Sequence, residues 1–316
     1  MFQGVLYDFH PIYQEQYTNQ TQLLDTTVEE IKKLRKPPKY STKALIIQIA
    51  LFIIIGIPRA IISFTFAVIA GVIFIVLVAF WRAFGNPPQF RRFLMVYWVS
   101  FSRILLFLLG IVHINFHGEY DTESRFLVAN HVFFFDSWLF LPFFPRPLDR
   151  KEIFSLPCLR EMCDVFGGIA VDRSKACGLT KELIKNAENP HKPQIILMPE
   201  GCNTNGEYML RFHLGAFLSD LPVQPAAIRY TMWGTNRKIS HMSFFQDHIK
   251  QWMAFLSIPA ITVDVQFLEV MSIKAGSDSD PRKFADSVSM LIGNKLGVKV
   301  YNMTSSPLFK NPKMSD

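Results

Sequence analysis

Residues 126–136 decide the fold assignment, because a short apolar run is followed at once by polar residues: Phe126-Leu127-Val128-Ala129-Asn130-His131-Val132-Phe133-Phe134-Phe135-Asp136. The four apolar residues predict a buried strand that ends beside Asn130. His131 and Asp136 are five positions apart, roughly 140° around a regular helix, so they do not share a helical face. They can meet if His131 lies in the turn after the strand and Asp136 lies in the first turn of a following helix.

A contact between His131 and Asp136 would prepare the imidazole for proton transfer. Asp136 would accept a hydrogen bond from one ring nitrogen, which fixes the tautomer and leaves the other nitrogen as a base. The chain offers no obvious serine nucleophile for such a base, so the hydroxyl that it activates would come from the substrate. A structural hydrogen bond is the alternative interpretation of the pair when it is taken alone.

Outward from this stretch, short predicted strands alternate with predicted helices. The strands are predicted at 126–129, 168–171, 194–198, 223–229 and 261–268, and the helices at 156–165, 175–187, 244–256 and 281–296. The last helix has clear boundary signals, with Asp280 as an N-cap, Pro281 at the first helical position and Gly297 after the end. This alternation predicts an α/β fold in which a sheet is layered with helices.

The segment before this α/β pattern is almost wholly apolar from Ala44 to Trp81, and only Arg59 carries a charge. Residues 61–81 alone are long enough to cross a hydrocarbon core of about 30 Å. Basic residues on both sides favour two cytosolic ends, which predicts a hairpin that reverses near Pro58; a single crossing is the alternative. A second apolar stretch, 93–116, is interrupted by Arg103, so we expect it to lie in the interface or to pack the soluble part onto the membrane.

The composition limits the kinds of protein that the chain can be. Half of the 316 residues are hydrophobic, 30 are Phe, and the formal net charge is +7. That charge fits either a solvated basic surface or attraction to anionic lipids and anionic substrates. No basic helix with interleaved aromatic residues indicates nucleic-acid binding. The four cysteines form no Cys-x-x-Cys pair and no zinc pattern, so no metal site is predicted.

Four short motifs follow one another in the α/β part of the chain. They are Asn130-His131-x-x-x-x-Asp136, Gly167-Gly168-Ile169-Ala170-Val171-Asp172-Arg173, Met198-Pro199-Glu200-Gly201-Cys202 and Leu221-Pro222-Val223-Gln224-Pro225. In kind and order they resemble the motifs of the glycerolipid acyltransferase family, which includes glycerol-3-phosphate and lysophospholipid acyltransferases. The longer run 199–206, followed by Gly215-Ala216-Phe217, is most similar to the branch that acylates lysophosphatidylcholine and lysophosphatidylethanolamine.

The resemblance implies a catalytic pair and a phosphate-binding residue. His131 would be the general base that takes the proton of the acceptor hydroxyl as that hydroxyl attacks a thioester, and Asp136 would orient it. Arg173 would hold the substrate phosphate, since its guanidinium is a fixed cation with paired donors. The implied reaction uses acyl-CoA as co-substrate and needs no metal and no further cofactor.

The remaining motif residues are implied to shape the substrate sites. Glu200 would form the acceptor site through hydrogen bonds rather than bind phosphate directly, and Gly201 would let a ligand approach the backbone closely. Substrate binding is also implied for Gly167 and Asn130. Pro225 would set the backbone at a strand start near the acyl-CoA site.

Taken together, the motifs predict an acyl-CoA-dependent lysophospholipid acyltransferase in the endoplasmic reticulum membrane, with its catalytic domain in the cytosol. Glycerol-3-phosphate or lysophosphatidic acid is the alternative acceptor, and a catalytically silent membrane adaptor is the alternative of another class. The predicted organisation is a polar and basic cytosolic leader (1–43), membrane-embedded helices (44–116), an acyltransferase domain (117–305) and a tail (306–316). Its predicted partners are acyl-CoA, a lysophospholipid and membrane lipid.

Overall fold

A seven-stranded sheet forms the centre of the fold in the computed structural model, which describes residues 19–34, 41–171, 179–233, 248–273 and 280–309. Its strand order is β1-β8-β7-β2-β5-β3-β4. The strands of the described chain are β1 (Ile111–His117), β2 (Phe126–Ala129), β3 (Arg146–Arg150), β4 (Ile169–Val171), β5 (Ile195–Leu197), β6 (Tyr208–Leu210), β7 (Val223–Met232), β8 (Ile261–Phe267) and β9 (Lys299–Tyr301).

Strand β2 lies at the middle of this sheet and is parallel to both of its neighbours, β5 and β7. All four of its residues are buried. Leu127 and Ala129 join the core on one face of the sheet, and Phe126 and Val128 join the core on the other face. A strand covered on both faces is apolar without interruption rather than alternating, which explains why the sequence of β2 shows four apolar residues in a row.

Helices cover both faces of the sheet, and the predicted α/β class is confirmed. They are α1 (Val28–Leu34), α2 (Thr42–Leu51), α3 (Ile57–Ala83), α4 (Pro88–Leu108), α5 (Asp136–Leu139), α6 (Lys151–Phe154), α7 (Leu159–Phe166), α8 (Leu179–Glu188), α9 (His248–Leu256), α10 (Pro281–Leu296) and α11 (Ser306–Phe309). Helix α10 has the boundaries that its signals predicted, since Asp280 accepts the Arg282 N–H and Gly297 ends it in a left-handed conformation.

The chain does not reverse at Pro58, which corrects the predicted position of the hairpin. Helix α2 continues through a π-helical segment, Phe52–Gly56, directly into α3. A proline leaves a helical carbonyl without its N–H donor, and a π-helical segment is a usual way for a helix to absorb such a defect. In the described chain this 42-residue helix, Thr42–Ala83, is the one that is long and apolar enough to cross a membrane.

The reversal occurs instead between α3 and α4. The Trp81 indole donates to the Pro87 carbonyl across this turn, at 3.2 Å. Along the two helices, the Tyr97 hydroxyl donates to the Ala70 carbonyl at 2.8 Å, and the Phe74 and Trp98 rings lie 4.8 Å apart. Helices α3 and α4 therefore form an antiparallel pair joined by residues 84–87. Because α2 and α3 form one continuous helix, we call that helix and α4 together the apolar helix pair.

Two predicted domain boundaries also need correction. Residues 111–116, assigned to the membrane-embedded region, form most of strand β1 and belong to the sheet. Residues 19–34, assigned to the leader, pack on the sheet domain. There Leu24 pairs with Tyr301 of β9, and Ile31 of α1 is fully buried. Strand β9 pairs in turn with β6 in a small second sheet.

Candidate active site

His131 and Asp136 meet beyond the carboxyl end of the central strand. Strand β2 ends at Ala129, His131 lies in the following loop, and Asp136 is the first residue of α5. The imidazole Nδ1 of His131 lies 2.9 Å from Oδ2 of Asp136. The Asp136 side chain is completely buried, whereas 21% of the His131 side chain is exposed. An ionised carboxylate only accepts hydrogen bonds, so Nδ1 carries the proton and Nε2 keeps a free lone pair.

The Asp136 carboxylate accepts further hydrogen bonds that hold its position. The backbone N–H groups of Val132 and Phe133 donate to Oδ2 at 2.6 and 2.8 Å. The hydroxyl of Tyr230 donates to Oδ1. Complete burial, together with the neighbouring Asp136, raises the pKa of Tyr230 well above its ordinary value, so the phenol keeps its proton and remains a donor. Both oxygens of the carboxylate therefore have donors that fix their orientation.

Sequence reasoning missed Tyr230, which lies outside the four motifs. Its place follows from strand register, because β7 runs parallel to β2 with Ala226 opposite Ala129. A residue four positions further along β7 therefore extends past the end of β2, beside the loop that carries His131. That register is a tertiary property, and the Tyr230 position carries no local signal of it.

Asn130 connects the loop to the same strand. Its amide Nδ2 donates to the Ile228 carbonyl at 3.0 Å, and its Oδ1 accepts the Ile228 N–H at 2.7 Å. The residue is buried. Its amide thus supplies two hydrogen bonds where β2 has ended but β7 continues. Substrate binding by Asn130 stays a prediction, while the structure gives its amide a positioning role.

Glu200 holds the backbone of His131 from the other side. Its Oε1 accepts the His131 N–H at 2.8 Å and its Oε2 accepts the Leu210 N–H of β6 at 2.9 Å. The side chain is fully buried. Burial raises the pKa of Glu200 to about 8; the two backbone N–H bonds act in the opposite direction, and nearby Asp136 adds to the increase. The carboxyl group joins the His131 loop to the small second sheet, and a direct substrate contact stays a prediction.

The loop that follows Glu200 completes this support. The Thr204 N–H donates to the His131 carbonyl at 2.7 Å, so both backbone groups of His131 bond to the loop 200–204. Gly201 has φ +72°, and a Cβ there would lie 2.9 Å from Oγ of Ser305 and 3.0 Å from Cδ2 of His213. Only glycine fits that close approach and that conformation without strain.

Two other predicted site residues, Gly167 and Pro225, lie at the end of α7 and in β7. Gly167 ends α7 with φ +67°, and its carbonyl accepts from Nε of the buried Arg146 at 2.8 Å. Pro225 lies in β7 opposite Val128. Arg173 lies outside the described residues. Substrate binding by Gly167 and Arg173 and acyl-CoA binding by Pro225 therefore stay predictions. Across the described ranges, no three His, Cys, Asp or Glu side chains form a group that could hold a metal ion.

Comparison with known proteins identifies the part of the chain that contains this site. The Acyltransferase family model matches residues 113–229. Lysophospholipid acyltransferase LPCAT4 of Mus musculus is 30% identical over 214 residues, which cover 63% of this chain and 39% of that protein. Lysophospholipid acyltransferase LPEAT1 of Arabidopsis thaliana is 25% identical over 272 residues, which cover 72% of this chain and 68% of that protein. The chain thus spans about two fifths of the length of the LPCAT4 relatives.

A solved structure has the same fold. The crystal structure of the 1-acyl-sn-glycerophosphate (LPA) acyltransferase PlsC from Thermotoga maritima superposes with a TM-score of 0.55, covering 75% of this chain and 95% of that one. The sequence identity is 19%, so the likeness is one of fold. The family resemblance carried by the four motifs is confirmed, since the Acyltransferase family model covers residues 113–229, with His131 and Asp136 among them.

Proposed function

We propose that this protein transfers a fatty acyl group from acyl-CoA to the free hydroxyl of a lysophospholipid. The observation that carries the proposal is the paired His131 and Asp136 at the end of β2, with a buried carboxylate and a partly exposed imidazole. The names of the relatives, which are lysophospholipid acyltransferases, support this class of acceptor. An assembled pair of this kind also argues against a silent adaptor, which has no need to keep both groups in register.

The proposed mechanism uses His131 as a general base and then as a general acid. Nε2 takes the proton of the acceptor hydroxyl while its oxygen attacks the thioester carbonyl and forms a tetrahedral intermediate. When the carbonyl re-forms, the carbon–sulfur bond breaks and the CoA thiolate takes the proton from Nε2. Asp136 stabilises the imidazolium between these two transfers, as the carboxylate of a catalytic triad does.

We further propose that the apolar helix pair inserts into one leaflet without crossing the bilayer. Near the start of α3, the Arg59 guanidinium donates to the Ile258 and Pro259 carbonyls after α9, at 2.6 and 2.8 Å. Near the end of α3, Arg82 forms an ion pair with Asp164 of α7. These two contacts are about 35 Å apart along the helix. Helix α3 therefore runs along the sheet domain instead of projecting from it.

The outer face of the apolar helix pair and the position of the N-terminal segment support the same topology. Large apolar side chains on that face are exposed, among them Ile54, Phe64 and Phe80. A broad apolar surface of this kind is suited to lipid rather than to water. Residues 19–34, before the helices, pack on the same domain that follows them, since the Asn205 amide donates to the Leu34 carbonyl at 3.0 Å. Both ends therefore lie on one side, which we propose is the cytosolic side of the endoplasmic reticulum.

Acyl transfer from radiolabelled oleoyl-CoA to a panel of acceptors tests the activity. Membranes that contain the parent chain, His131→Ala or His117→Ala would receive lysophospholipids, lysophosphatidic acid or glycerol-3-phosphate. His117 is the matched control, because it contacts Asp264 at 3.1 Å but lies on the edge strand β1, separated from β2 by β8 and β7. We expect labelled product with the parent and His117→Ala and none with His131→Ala. If only glycerol-3-phosphate is labelled, the acceptor is glycerol-3-phosphate and not a lysophospholipid. If no acceptor is labelled, the result favours the catalytically silent membrane adaptor.

Protease protection in sealed vesicles tests the topology. Epitope tags would be placed after Gly85, in the turn between α3 and α4, and after residue 316. We expect both tags to be digested together, because the turn lies on the domain side through Arg82 and Asp164. Protection of the turn tag alone would show that the helices cross the bilayer.

A further inference from the structure

We propose that Tyr230 is a positioning residue for the proton transfer, acting on His131 through Asp136. The proposal rests on the proposed function and assigns a role to a residue outside the four motifs. The two oxygens of Asp136 have different partners: Oδ2 accepts from His131 and from two backbone N–H groups, whereas Oδ1 accepts from the Tyr230 hydroxyl. Tyr230 and His131 thus donate to different oxygens of the same carboxylate.

The surrounding structure holds Tyr230 rigidly. Its backbone lies in β7 and pairs with Val263 of β8 on one side. Two residues earlier, Ile228 is bonded through both of its backbone groups to the Asn130 amide. The Tyr230 ring is buried and lies edge-on to Phe133, with 5.9 Å between the ring centroids. A hydroxyl held in this way is placed before substrate arrives, which is the condition for an effective positioning group.

The hydroxyl has two physical effects on Asp136. It prevents the carboxylate from rotating about its own axis, so Oδ2 stays aligned with Nδ1 of His131. It also stabilises negative charge on Oδ1, which weakens the attraction of the carboxylate for the imidazolium. Without this donor, Asp136 would hold a proton on His131 more strongly, and His131 would act as a base only at higher pH. Among the described residues, the titratable groups that contact this pair are Glu200, through the His131 backbone, and Tyr230 itself.

Tyr230→Phe tests the inference, with Tyr97→Phe as the matched control. Each variant removes one hydroxyl that donates a hydrogen bond. The Tyr230 hydroxyl is buried and bonds to Asp136, whereas the Tyr97 hydroxyl is half-buried and bonds to the Ala70 carbonyl in the apolar helix pair. We expect Tyr230→Phe to lower kcat by about 10- to 100-fold with little change in KM. We also expect the acid limb of its pH–rate profile to move to higher pH. Tyr97→Phe should match the parent in both respects.

A second readout does not depend on turnover. Diethyl pyrocarbonate modifies neutral imidazole, so the rate of His131 modification against pH, followed by peptide mass spectrometry, reports the protonation of that side chain. We expect the Tyr230→Phe profile to move to higher pH. We expect a fluorinated tyrosine at position 230, which keeps the shape and donates more strongly, to move it to lower pH. That second replacement also keeps the inference testable if Tyr230→Phe folds poorly.

The outcomes separate this inference from the proposed function. An inactive parent with shifted modification profiles would reject the acyl transfer and keep the positioning role. An active parent whose rate and modification profiles are unchanged by Tyr230→Phe would overturn the positioning role alone. Lower activity in Tyr230→Phe without any movement of either pH profile would show that the residue only supports the fold, which also overturns the inference.

Discussion

Replacing Glu200 by Gln should change how the stability of the protein depends on pH. Glu200 is fully buried, and burial raises its pKa to about 8 from an ordinary value of 4.5. The folded protein therefore keeps this proton at pH values where the unfolded chain has released it. Stability from this group is fully present below about pH 4.5 and is lost as pH rises through 8, which is the reverse of the usual carboxylate case.

The size of the effect follows from that window. Between pH 4.5 and 8 the folded state binds one more proton than the unfolded state, so the free energy of unfolding falls by about 1.4 kcal/mol per pH unit. Between pH 6 and pH 9 the loss is about 3 kcal/mol, which corresponds to roughly 5 °C in Tm for a protein of this size. The amide introduced by Glu200→Gln cannot titrate, but its NH₂ group would face the N–H of either His131 or Leu210, which costs about 1–3 kcal/mol at any pH.

Thermal unfolding of the parent and Glu200→Gln, measured in detergent from pH 6 to pH 9, tests this account. At pH 6 the parent should be the more stable protein. The difference between the two should move by roughly 5 °C in favour of Glu200→Gln as pH approaches 9, enough to cancel or reverse it, because only the parent loses stability through Glu200. Comparing the two proteins at each pH cancels the other titrating groups. A difference that stays constant would mean that Glu200 is already ionised at pH 6, and the reasoning from its burial would be wrong.

Three other substitutions, two of them with a matched control, test separate parts of the structure. Asp136→Asn keeps an acceptor for Nδ1 but removes the charge that stabilises an imidazolium, so oleoyl transfer should fall by about 100-fold or more while Tm stays near that of the parent. Gly201→Ala, at φ +72°, should destabilise the protein by about 1–3 kcal/mol, whereas Gly215→Ala, whose nearest Cβ contact is 3.6 Å, should cost far less in the same unfolding assay. Arg59→Leu removes three hydrogen bonds to carbonyls and should lower Tm by several degrees, whereas Arg103→Leu, on the exposed side of α4, should not.

Features that depend on neighbouring residues in the chain were predictable from the sequence. The apolar run of β2 marks a strand because both of its faces are buried, and Asp280, Pro281 and Gly297 mark α10 because capping acts within one turn. The contact between His131 and Asp136 could be anticipated for the same reason, since a strand end and a helix start fix their geometry over a short stretch of chain. Their chemical roles stay predictions that the assays above must test.

Features that depend on distant pairing were not predictable. Strands β3, β6 and β9 lie outside the predicted strands, and their pairing partners define them: β3 pairs with β4 and β5, and β6 pairs with β9. The docking of residues 19–34 depends on hydrogen bonds such as that from the Gln20 amide to the Val300 carbonyl, 280 positions away. The hairpin was placed at Pro58 because proline usually ends a helix, but the π-helical segment before it lets the helix continue.

The structure gives a positioning role to two of the motif residues whose substrate contacts stay predictions. Asn130 and Glu200 direct their polar atoms at backbone groups of Ile228, His131 and Leu210, not at the partly exposed imidazole of His131. Residues that only hold a catalytic loop affect the rate through the position of the base. Substitutions at Asn130 or Glu200 should therefore lower kcat more than they raise KM for the acceptor. A residue that grips the substrate, as predicted for Arg173, should show the opposite pattern, because its loss weakens ground-state and transition-state binding alike.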